Sequence, residues 1–163
     1  MENLSIRKAI KEDLNSILKI KKQVHKLYAE KRPDLYKVSG VLYSEEFLKS
    51  FFENNKKVIL VTISDNEIIA YSFLEFIDVN IPMMVERKYI YIHDFAVSKK
   101  YRNQGIASGL LIHIEEYARE KGALKLELAV HLFSQEAIKL YKKIGFTPRA
   151  VRMEKELDSD KKN

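Results

Sequence analysis

The sequence has no cysteine, and it holds only 5 glycines and 3 prolines among 163 residues. Without cysteine there is no disulfide scaffold, no thiolate metal site and no cysteine nucleophile. The scarcity of glycine and proline excludes a collagen-like or low-complexity chain. No apolar run approaches the roughly 20 residues that a membrane-spanning helix needs. Residues 1–7 lack an apolar signal-peptide core, so we expect a cytoplasmic protein with no membrane partner.

Hydrophobic residues make up 46% of the chain and charged residues 32%, which excludes wholesale disorder. The length suits one domain, which we expect over residues 1–157, followed by a disordered tail over 158–163. Lysine and arginine number 29 against 23 acidic residues, for a net charge of +6. These basic residues are scattered, so we expect no nucleic-acid partner and favour a surface suited to an anionic ligand. A nucleic-acid-binding domain is an alternative hypothesis that rests on this charge alone.

Hydrophobic periodicity predicts an α/β domain with a mixed, mostly antiparallel sheet and one βαβ unit in its second half. The predicted elements, in order, are a strand over 4–9, a helix from 12 to the break at 32–34, a helix from 44, strands over 58–63, 68–77 and 89–97, a helix over 105–121, a strand over 124–130, a helix capped by Ser134 and ended by Gly145, and one or two strands over 146–157. In the strand over 124–130, Leu124, Leu126 and Leu128 should form the half-buried face.

The stretch Val97-Ser-Lys-Lys-Tyr-Arg-Asn-Gln-Gly-Ile-Ala-Ser-Gly109 joins a predicted strand to a predicted helix. Three basic residues precede small residues at the helix start, where unpaired amide N–H groups attract phosphate. An ordinary strand-to-helix turn explains the same residues, and local pattern alone leaves both interpretations open. A P-loop is excluded because its Gly-Lys-Ser/Thr ending is absent, and the dinucleotide-binding fingerprint is matched only in part.

Three motifs together resemble the Gcn5-related N-acetyltransferase (GNAT) family. Arg102-Asn-Gln-Gly105-Ile-Ala107 matches the family motif (Gln/Arg)-x-x-Gly-x-(Gly/Ala). The preceding strand, Ile92-His-Asp-Phe-Ala-Val97, is similar to the central strand of the family. The stretch from Ser134 through Tyr141 to Phe146 is similar to its last conserved helix and the turn that follows. The resemblance implies a twisted sheet with a splayed central strand pair and flanking helices.

The resemblance also implies that acetyl-CoA is the co-substrate. The pantetheine arm would pair with the exposed backbone of Phe95, Ala96 and Val97, and the pyrophosphate would lie on the amides that follow. The residues so implied for pyrophosphate binding are Arg102, Asn103, Gln104, Gly105, Ile106, Ala107, Ser108 and Gly109. Ser134 stands where many relatives carry an asparagine that contacts the cofactor.

Two catalytic residues follow from the same resemblance. Tyr141 matches the tyrosine that the family places near the CoA sulfur, where a phenol can protonate the departing thiolate. Periodicity alone favours a core tyrosine at this position. His93 matches a glutamate often proposed as the base, and an imidazole with a reference pKa of about 6.5 can accept the proton of an ammonium. A hydrogen-bonded structural histidine explains His93 equally well. Strand alternation predicts that Tyr91, His93, Phe95 and Val97 share one face, away from Asp94.

The amine acceptor is least defined by the sequence. The resemblance points to the first two helices and their connection, and we expect Tyr28, Tyr36 and Tyr91 to contact the acceptor, since aromatic rings suit a cationic amine. His25, His113 and His131 fit no metal or triad spacing, so we expect no metal. The preferred hypothesis is direct acetyl transfer to a primary amine of a small molecule or peptide, in a ternary complex. The alternative is a CoA-binding sensor or interaction module with little or no transfer. A homodimer built on the last strands is common in similar proteins.

Overall fold

A five-stranded sheet forms the centre of the structure, a computed structural model that describes residues 4–157. Its strands, in spatial as in chain order, are β1 (Ser5–Lys8), β2 (Lys57–Ser64), β3 (Glu67–Val79), β4 (Arg87–Val97) and β5 (Lys125–Leu128). Neighbouring strands from β1 to β4 pair antiparallel, whereas β5 pairs parallel to β4. A parallel pair needs a long crossover connection, which here contains a helix. The predicted mixed, mostly antiparallel sheet is therefore confirmed.

Four helices flank the sheet: α1 (Leu14–Lys31), α2 (Glu45–Glu53), α3 (Ile106–Glu120) and α4 (Gln135–Ile144). A 3-10 turn over Lys11–Asp13 precedes α1. The Ser44 hydroxyl accepts a hydrogen bond from the Phe47 amide at 3.1 Å, so the predicted start of α2 is a true N-cap. At the end of α4, Gly145 adopts a left-handed φ of +107°, a conformation that glycine takes without steric cost.

Each face of the sheet has its own core. The face that carries Tyr71 and Phe73 packs against Ile17 of α1 and Phe51 of α2, and we call it the α1–α2 face. The opposite face carries Ile90 and Ile92 and packs against α3, whose inward side chains Leu110, Leu111 and Ile114 are fully buried; we call it the α3 face. Tyr141 of α4 also contacts the α3 face. The sheet is thus covered by helices on both faces.

The prediction of final strands over 146–157 is wrong, because the structure contains no strand in that segment. Its apolar side chains Val151, Met153 and Leu157 are 80%, 88% and 84% exposed. Leu124 was predicted on the buried face of a strand, but it precedes β5 and is 88% exposed. Both errors have one cause: alternation shows that a segment can form a strand but does not supply the neighbouring strand with which it must pair. The predicted tail, 158–163, lies outside the described residues.

Within residues 4–157, no helix is long and apolar enough to cross a lipid bilayer.

Candidate active site

Strands β4 and β5 separate near their carboxyl ends. Their register runs from the pair Tyr89 and Lys125 to the pair Ile92 and Leu128, where β5 ends. Strand β4 continues to Val97, and its residues 93–97 have no strand partner on that side among residues 4–157, although residues 94–97 remain paired with β3 on the other side. An open strand edge can pair with an extended ligand that carries amide groups. The expected binding backbone of Phe95, Ala96 and Val97 lies along this opening, which we call the wedge.

A β-bulge lies at the apex of the wedge. In the register of β3 with β4, Leu74 pairs with Ile92 and Phe73 pairs with Asp94, so His93 has no partner in β3. A bulge inserts one extra residue into a strand and shifts the alternation of all residues beyond it. The alternation prediction is therefore wrong beyond His93. Phe95 and Val97 lie on the α3 face, whereas His93 and Asp94 both lie on the α1–α2 face.

Asp94 is the centre of a buried polar network, on the same side of the strand as His93 and not on the opposite side as alternation predicts. Its Oδ2 atom accepts hydrogen bonds from Lys21 Nζ at 2.6 Å, from Tyr71 OH at 3.3 Å and from Tyr43 OH. Its Oδ1 atom accepts from the Phe95 amide at 2.9 Å. Burial, together with the Asp94 charge, raises the pKa of both tyrosines far above the ordinary value, so both remain donors. The network joins α1 and the α1–α2 connection to β4.

His93 sits beside this network, at the first position where the wedge opens. Its Nε2 atom lies 2.5 Å from Glu75 Oε2 on β3, and its side chain is 28% exposed. The rings of Phe51 and Phe47 lie 5.8 and 6.1 Å away, and the Tyr91 ring lies 4.9 Å away. An imidazole that is held by a carboxylate and open on its other nitrogen is suited to accept a proton.

The loop that follows β4, with the first residues of α3, presents a run of unpaired amides over 103–108, which we call the amide loop. Asn103 and Gly105 have left-handed φ values of +60° and +81°, and α3 begins directly after them. The amides of residues 103–108 donate no hydrogen bond to any group within residues 4–157. The amides at the two ends of the expected site already make hydrogen bonds within the protein. The Arg102 amide donates to Lys99 O, and the Gly109 amide donates to Gly105 O. Left-handed residues that alternate with right-handed ones turn successive N–H groups inward, which makes an anion-binding concavity.

The basic side chains of this loop are partly engaged with the protein. Arg102 Nε donates to the Val97 carbonyl at 3.1 Å and so ties the loop to the end of β4. Lys100 Nζ donates to Tyr101 OH and lies 3.9 Å from a Glu67 carboxylate oxygen, and these contacts raise the pKa of Lys100. The backbone of Lys99 donates to Gln23 of α1 at 2.8 Å. The loop is therefore anchored to the end of β4 and to α1, which keeps its amides in place.

Tyr141 reaches the wedge from the α3 face. Its ring lies 6.5 Å from that of Phe95 and 5.6 Å from that of Phe146. Burial raises the pKa of Tyr141 to about 12, with smaller contributions from Tyr28 and Asp94. Its hydroxyl makes no hydrogen bond to another residue of the described chain, so it remains protonated at neutral pH and free to donate to a ligand.

Ser134 occupies the N-cap position of α4, but its hydroxyl does not cap the helix. Its carbonyl accepts a hydrogen bond from the Ile138 amide at 3.0 Å. Burial raises the pKa of the neighbouring Tyr28. The prediction of a side-chain cap at Ser134 is therefore wrong, because its backbone, with φ −84° and ψ 57°, does not adopt the extended conformation typical of a capping serine.

Two of the three residues expected at the acceptor site lie together, with two residues of the connection between β5 and α4. The Tyr28 ring lies 5.4 Å from Tyr36, 5.4 Å from His131 and 5.3 Å from Phe133, and Tyr36 OH is 2.6 Å from His131 Nε2. We call these four residues the aromatic cluster. Tyr91 lies apart from it, next to His93. From the sequence, His131 is assigned only to surface or packing, since no spacing relates it to Tyr36.

Comparison with known proteins matches this geometry to one family. The model of the acetyltransferase (GNAT) family matches residues 22–146, more than half of the chain. The chain belongs to the GNAT family. This match confirms the resemblance on which the expectations for the wedge and the amide loop depend, since it extends from within α1 to just past the end of α4.

Individual GNAT relatives differ in how much of the chain they match. The N-acetyltransferase YhfO of Bacillus subtilis is 28% identical over 143 residues, which are 88% of this chain and 89% of YhfO. YdgE of the same organism is 35% identical over 71 residues, 44% of this chain and 45% of YdgE. Thialysine N-epsilon-acetyltransferase of Bos taurus is 41% identical over 56 residues, 34% of this chain and 33% of that enzyme. The chain therefore spans less than half the length of two of these three relatives.

Solved structures share the whole fold. A mutant form of the BH1408 protein from Bacillus halodurans has a TM-score of 0.89 at 25% identity and covers 94% of this chain and 99% of its own. The aminoglycoside N-acetyltransferase AAC(6')-Iy, solved in complex with CoA, has a TM-score of 0.68 at 13% identity over 94% of this chain and 100% of its own. The second likeness shows the fold alone.

Proposed function

We propose that the chain is an acetyl-CoA-dependent N-acetyltransferase that transfers an acetyl group to a primary amine by direct attack in a ternary complex. One observation carries the proposal: an open strand edge and the run of unpaired amides over 103–108 lie at the same end of the sheet. The first suits an amide-bearing arm, and the second suits a diphosphate. Acetyl-CoA carries both groups, and the GNAT match over 22–146 supports the same ligand.

The proposed catalytic residues approach the wedge from the two faces of the sheet. On the α1–α2 face, His93 accepts one proton from the bound ammonium, and the neutral amine then attacks the thioester carbonyl. The C–N bond forms, the C–S bond breaks, and Tyr141 on the α3 face donates its hydroxyl proton to the departing sulfur. The second amine proton is released from the intermediate, and Tyr141 regains a proton from solvent. The net reaction releases one proton to solvent, and CoA departs as a thiol.

Direct transfer is favoured over a covalent acetyl-enzyme by the residues present. The chain has no cysteine. A serine or threonine nucleophile needs an adjacent base. Ser134, the hydroxyl residue expected at the cofactor, makes no side-chain hydrogen bond to an imidazole or a carboxylate among the described residues.

The aromatic cluster and Tyr91 are the proposed contacts of the acceptor amine. Half-buried aromatic rings attract cations through their π-faces. A named relative supports an amine acceptor, since it is a thialysine N-epsilon-acetyltransferase. We propose a small-molecule or peptide amine as the substrate class. The expectations of a cytoplasmic location, and of no nucleic-acid or membrane partner, stay predictions.

We also propose that two copies of the chain associate through residues 146–157. This segment leaves three apolar side chains exposed, and β5 pairs on one side only within the described residues. Sedimentation of the full chain measures the association, and a monomer at every concentration would contradict it.

A thiol-release screen tests the enzymatic proposal. Acetyl-CoA is incubated with thialysine, lysine, spermidine, an aminoglycoside and a peptide with a free N-terminus, while calorimetry measures CoA binding. Thiol release that depends on both protein and amine supports the proposal. CoA binding without acetylation of any amine contradicts it and favours the CoA-binding sensor. Absence of CoA binding contradicts both.

A further inference from the structure

Three charged or titratable side chains form a row on the α1–α2 face, next to α2. Glu75 of β3 stands in the middle, with its Oε2 atom 2.5 Å from His93 Nε2 on β4 and 3.9 Å from Lys57 Nζ on β2. Glu75 is 23% exposed and Lys57 is 17% exposed. Lys57 also donates to Ser50 Oγ at 3.2 Å and lies over the Phe51 ring at 5.1 Å. The row therefore lies partly out of solvent, where charge interactions are less screened.

The other groups around His93 are accounted for. The side chains of α2 nearest to the imidazole are Phe47 and Phe51, which carry no charge. On β4 the neighbour is Tyr91, and across from Tyr91 on β5 stands Glu127, which is bound to Arg87 and Arg149. Asp94 is next along β4 and is held by Lys21 and two tyrosines. Among the described residues, Glu75 is thus the one carboxylate in hydrogen-bond contact with His93.

This contact decides which nitrogen of His93 is available. An ionised carboxylate can only accept hydrogen bonds, so the imidazole Nε2 must carry the proton that lies between the two groups. In the neutral ring the lone pair then resides on Nδ1. In a neutral histidine, the hydrogen bond made by one ring nitrogen decides whether the other ring nitrogen carries a proton.

We propose that Glu75 is a positioning residue, which holds His93 in the Nε2-protonated tautomer so that Nδ1 is the atom that takes the proton from the amine. This inference rests on the proposed acetyl transfer. The bulge explains why such a residue is needed. Because His93 has no pairing partner in β3, backbone pairing between the strands does not orient its side chain, and the hydrogen bond to Glu75 does so instead. On its other side, Glu75 is 3.9 Å from Lys57 Nζ, so its carboxylate is held between two neighbouring strands.

A double-mutant cycle tests the role. In His93→Gln the side chain can still donate to Glu75 but cannot accept the proton, and we expect kcat to fall by about 100-fold. Glu75→Gln alone should lower kcat by about 10-fold or more and leave the KM for acetyl-CoA within about twofold, because the amide does not select one tautomer. In the His93→Gln background, Glu75→Gln should have almost no further effect. Asp78→Asn is the matched control, since Asp78 is also a β3 carboxylate close to a cross-strand lysine, Lys88, at 3.8 Å.

A purely structural role of Glu75 predicts a different pattern. Glu75→Gln would then lower kcat by the same factor in both backgrounds. The variant Glu75→Gln/Lys57→Met, which removes both charges, would restore activity if the only harm were an unpaired lysine. Either result would overturn the inference.

NMR spectroscopy tests the inference without knowledge of the acceptor amine. The chain has 4 histidines, so ¹⁵N-histidine labelling with His93→Gln as the assignment standard resolves the imidazole signals. Neutral His93 should be protonated at Nε2 in the wild-type chain, and the Nδ1-protonated form should appear in Glu75→Gln. A wild-type signal protonated at Nδ1 would overturn the inference while acetyl transfer stands. If no amine is acetylated, the proposed function fails and the positioning role fails with it, whatever the tautomer.

Discussion

Lys21 Nζ lies 2.6 Å from Asp94 Oδ2, across 73 positions of sequence. The pair is partly buried, with side chains 17% and 13% exposed, and Lys21 also lies 5.2 Å from the centre of the Tyr43 ring. Because Asp94 directly follows the bulge residue His93, this ion pair attaches α1 to the apex of the wedge. The ion pair thereby holds the proposed acceptor side of the site against the proposed cofactor side.

Loss of this ion pair should destabilise the whole chain. Lys21→Met leaves the Asp94 charge buried with only neutral donors, and we expect the free energy of unfolding to fall by roughly 3 kcal/mol. Urea unfolding followed by circular dichroism measures the change. Lys19→Met is the control, since Lys19 lies on the same helix and makes no ion pair among the described residues. Equal stability of the two variants would show that the phenols alone compensate Asp94.

Removal of the Tyr141 hydroxyl should affect turnover rather than cofactor binding. Since the pKa of Tyr141 is raised to about 12, its hydroxyl carries a proton at neutral pH. We expect Tyr141→Phe to lower kcat by about 100-fold, with the dissociation constant of CoA within about twofold of wild type. Steady-state kinetics and calorimetry separate the two effects. Tyr117→Phe, at the far end of α3, is the matched control, and an unchanged rate in Tyr141→Phe would reject the general-acid role.

An acidic side chain at Gly105 should remove CoA binding. An added Cβ at Gly105 meets no atom within 4 Å, so steric conflict with the protein is not the cause. The substitution acts through the left-handed φ of +81° and through a negative charge among the amides. We expect Gly105→Glu to weaken CoA binding by at least about 100-fold in calorimetry.

Gly122 offers a matched control for this prediction. Its φ is +75° and its added Cβ also meets nothing, but it lies at the opposite end of α3. Gly122→Glu should therefore keep CoA affinity within about twofold of wild type while carrying the same backbone strain. Similar losses in the two variants would mean that strain, and not phosphate contact, accounts for the effect at Gly105.

The start of α1 should make stability depend on pH. Asp13 accepts two hydrogen bonds from Arg7, at 2.6 and 3.0 Å, and one from the Ile10 amide at 2.8 Å. These bonds, that to Arg7 first, lower the pKa of Asp13 below its ordinary value of 3.8. A lowered pKa stabilises the fold at pH values above the ordinary one, and this contribution is lost as the pH falls through the folded value.

Asp13→Asn should accordingly be less stable than wild type by about 1 kcal/mol at pH 7, since Arg7 is partly exposed and the amide still accepts from Ile10. The difference should narrow steadily below pH ~4 in urea unfolding. Glu12→Gln, an exposed neighbour, is the control. A difference that stays constant down to pH ~2.5 would show that the carboxylate charge plays no part.

Local pattern was sufficient for most helices and strands. The N-cap at Ser44, the end of α1 at 32–34 and the glycines around α3 and α4 all depend on groups within a few residues of one another, so the sequence alone reveals them. The amide loop follows from its motif for the same reason. By contrast, the strands expected over 146–157 depended on a pairing partner, which alternation does not reveal.

At the wedge, too, some features depend on local sequence and others on contacts between distant segments. The expectation that residues 102–109 bind a diphosphate and that His93 and Tyr141 move protons came from the sequence by itself, because it depends on residue type and motif spacing. Only the tertiary structure decided how they face one another. The bulge places His93 and Asp94 on the same side of β4, and the fold brings Glu75 of β3, Lys21 of α1 and Tyr43 of the α1–α2 connection to them. A one-residue shift of register reverses every later side chain, and register is set by contacts between strands that are distant in sequence.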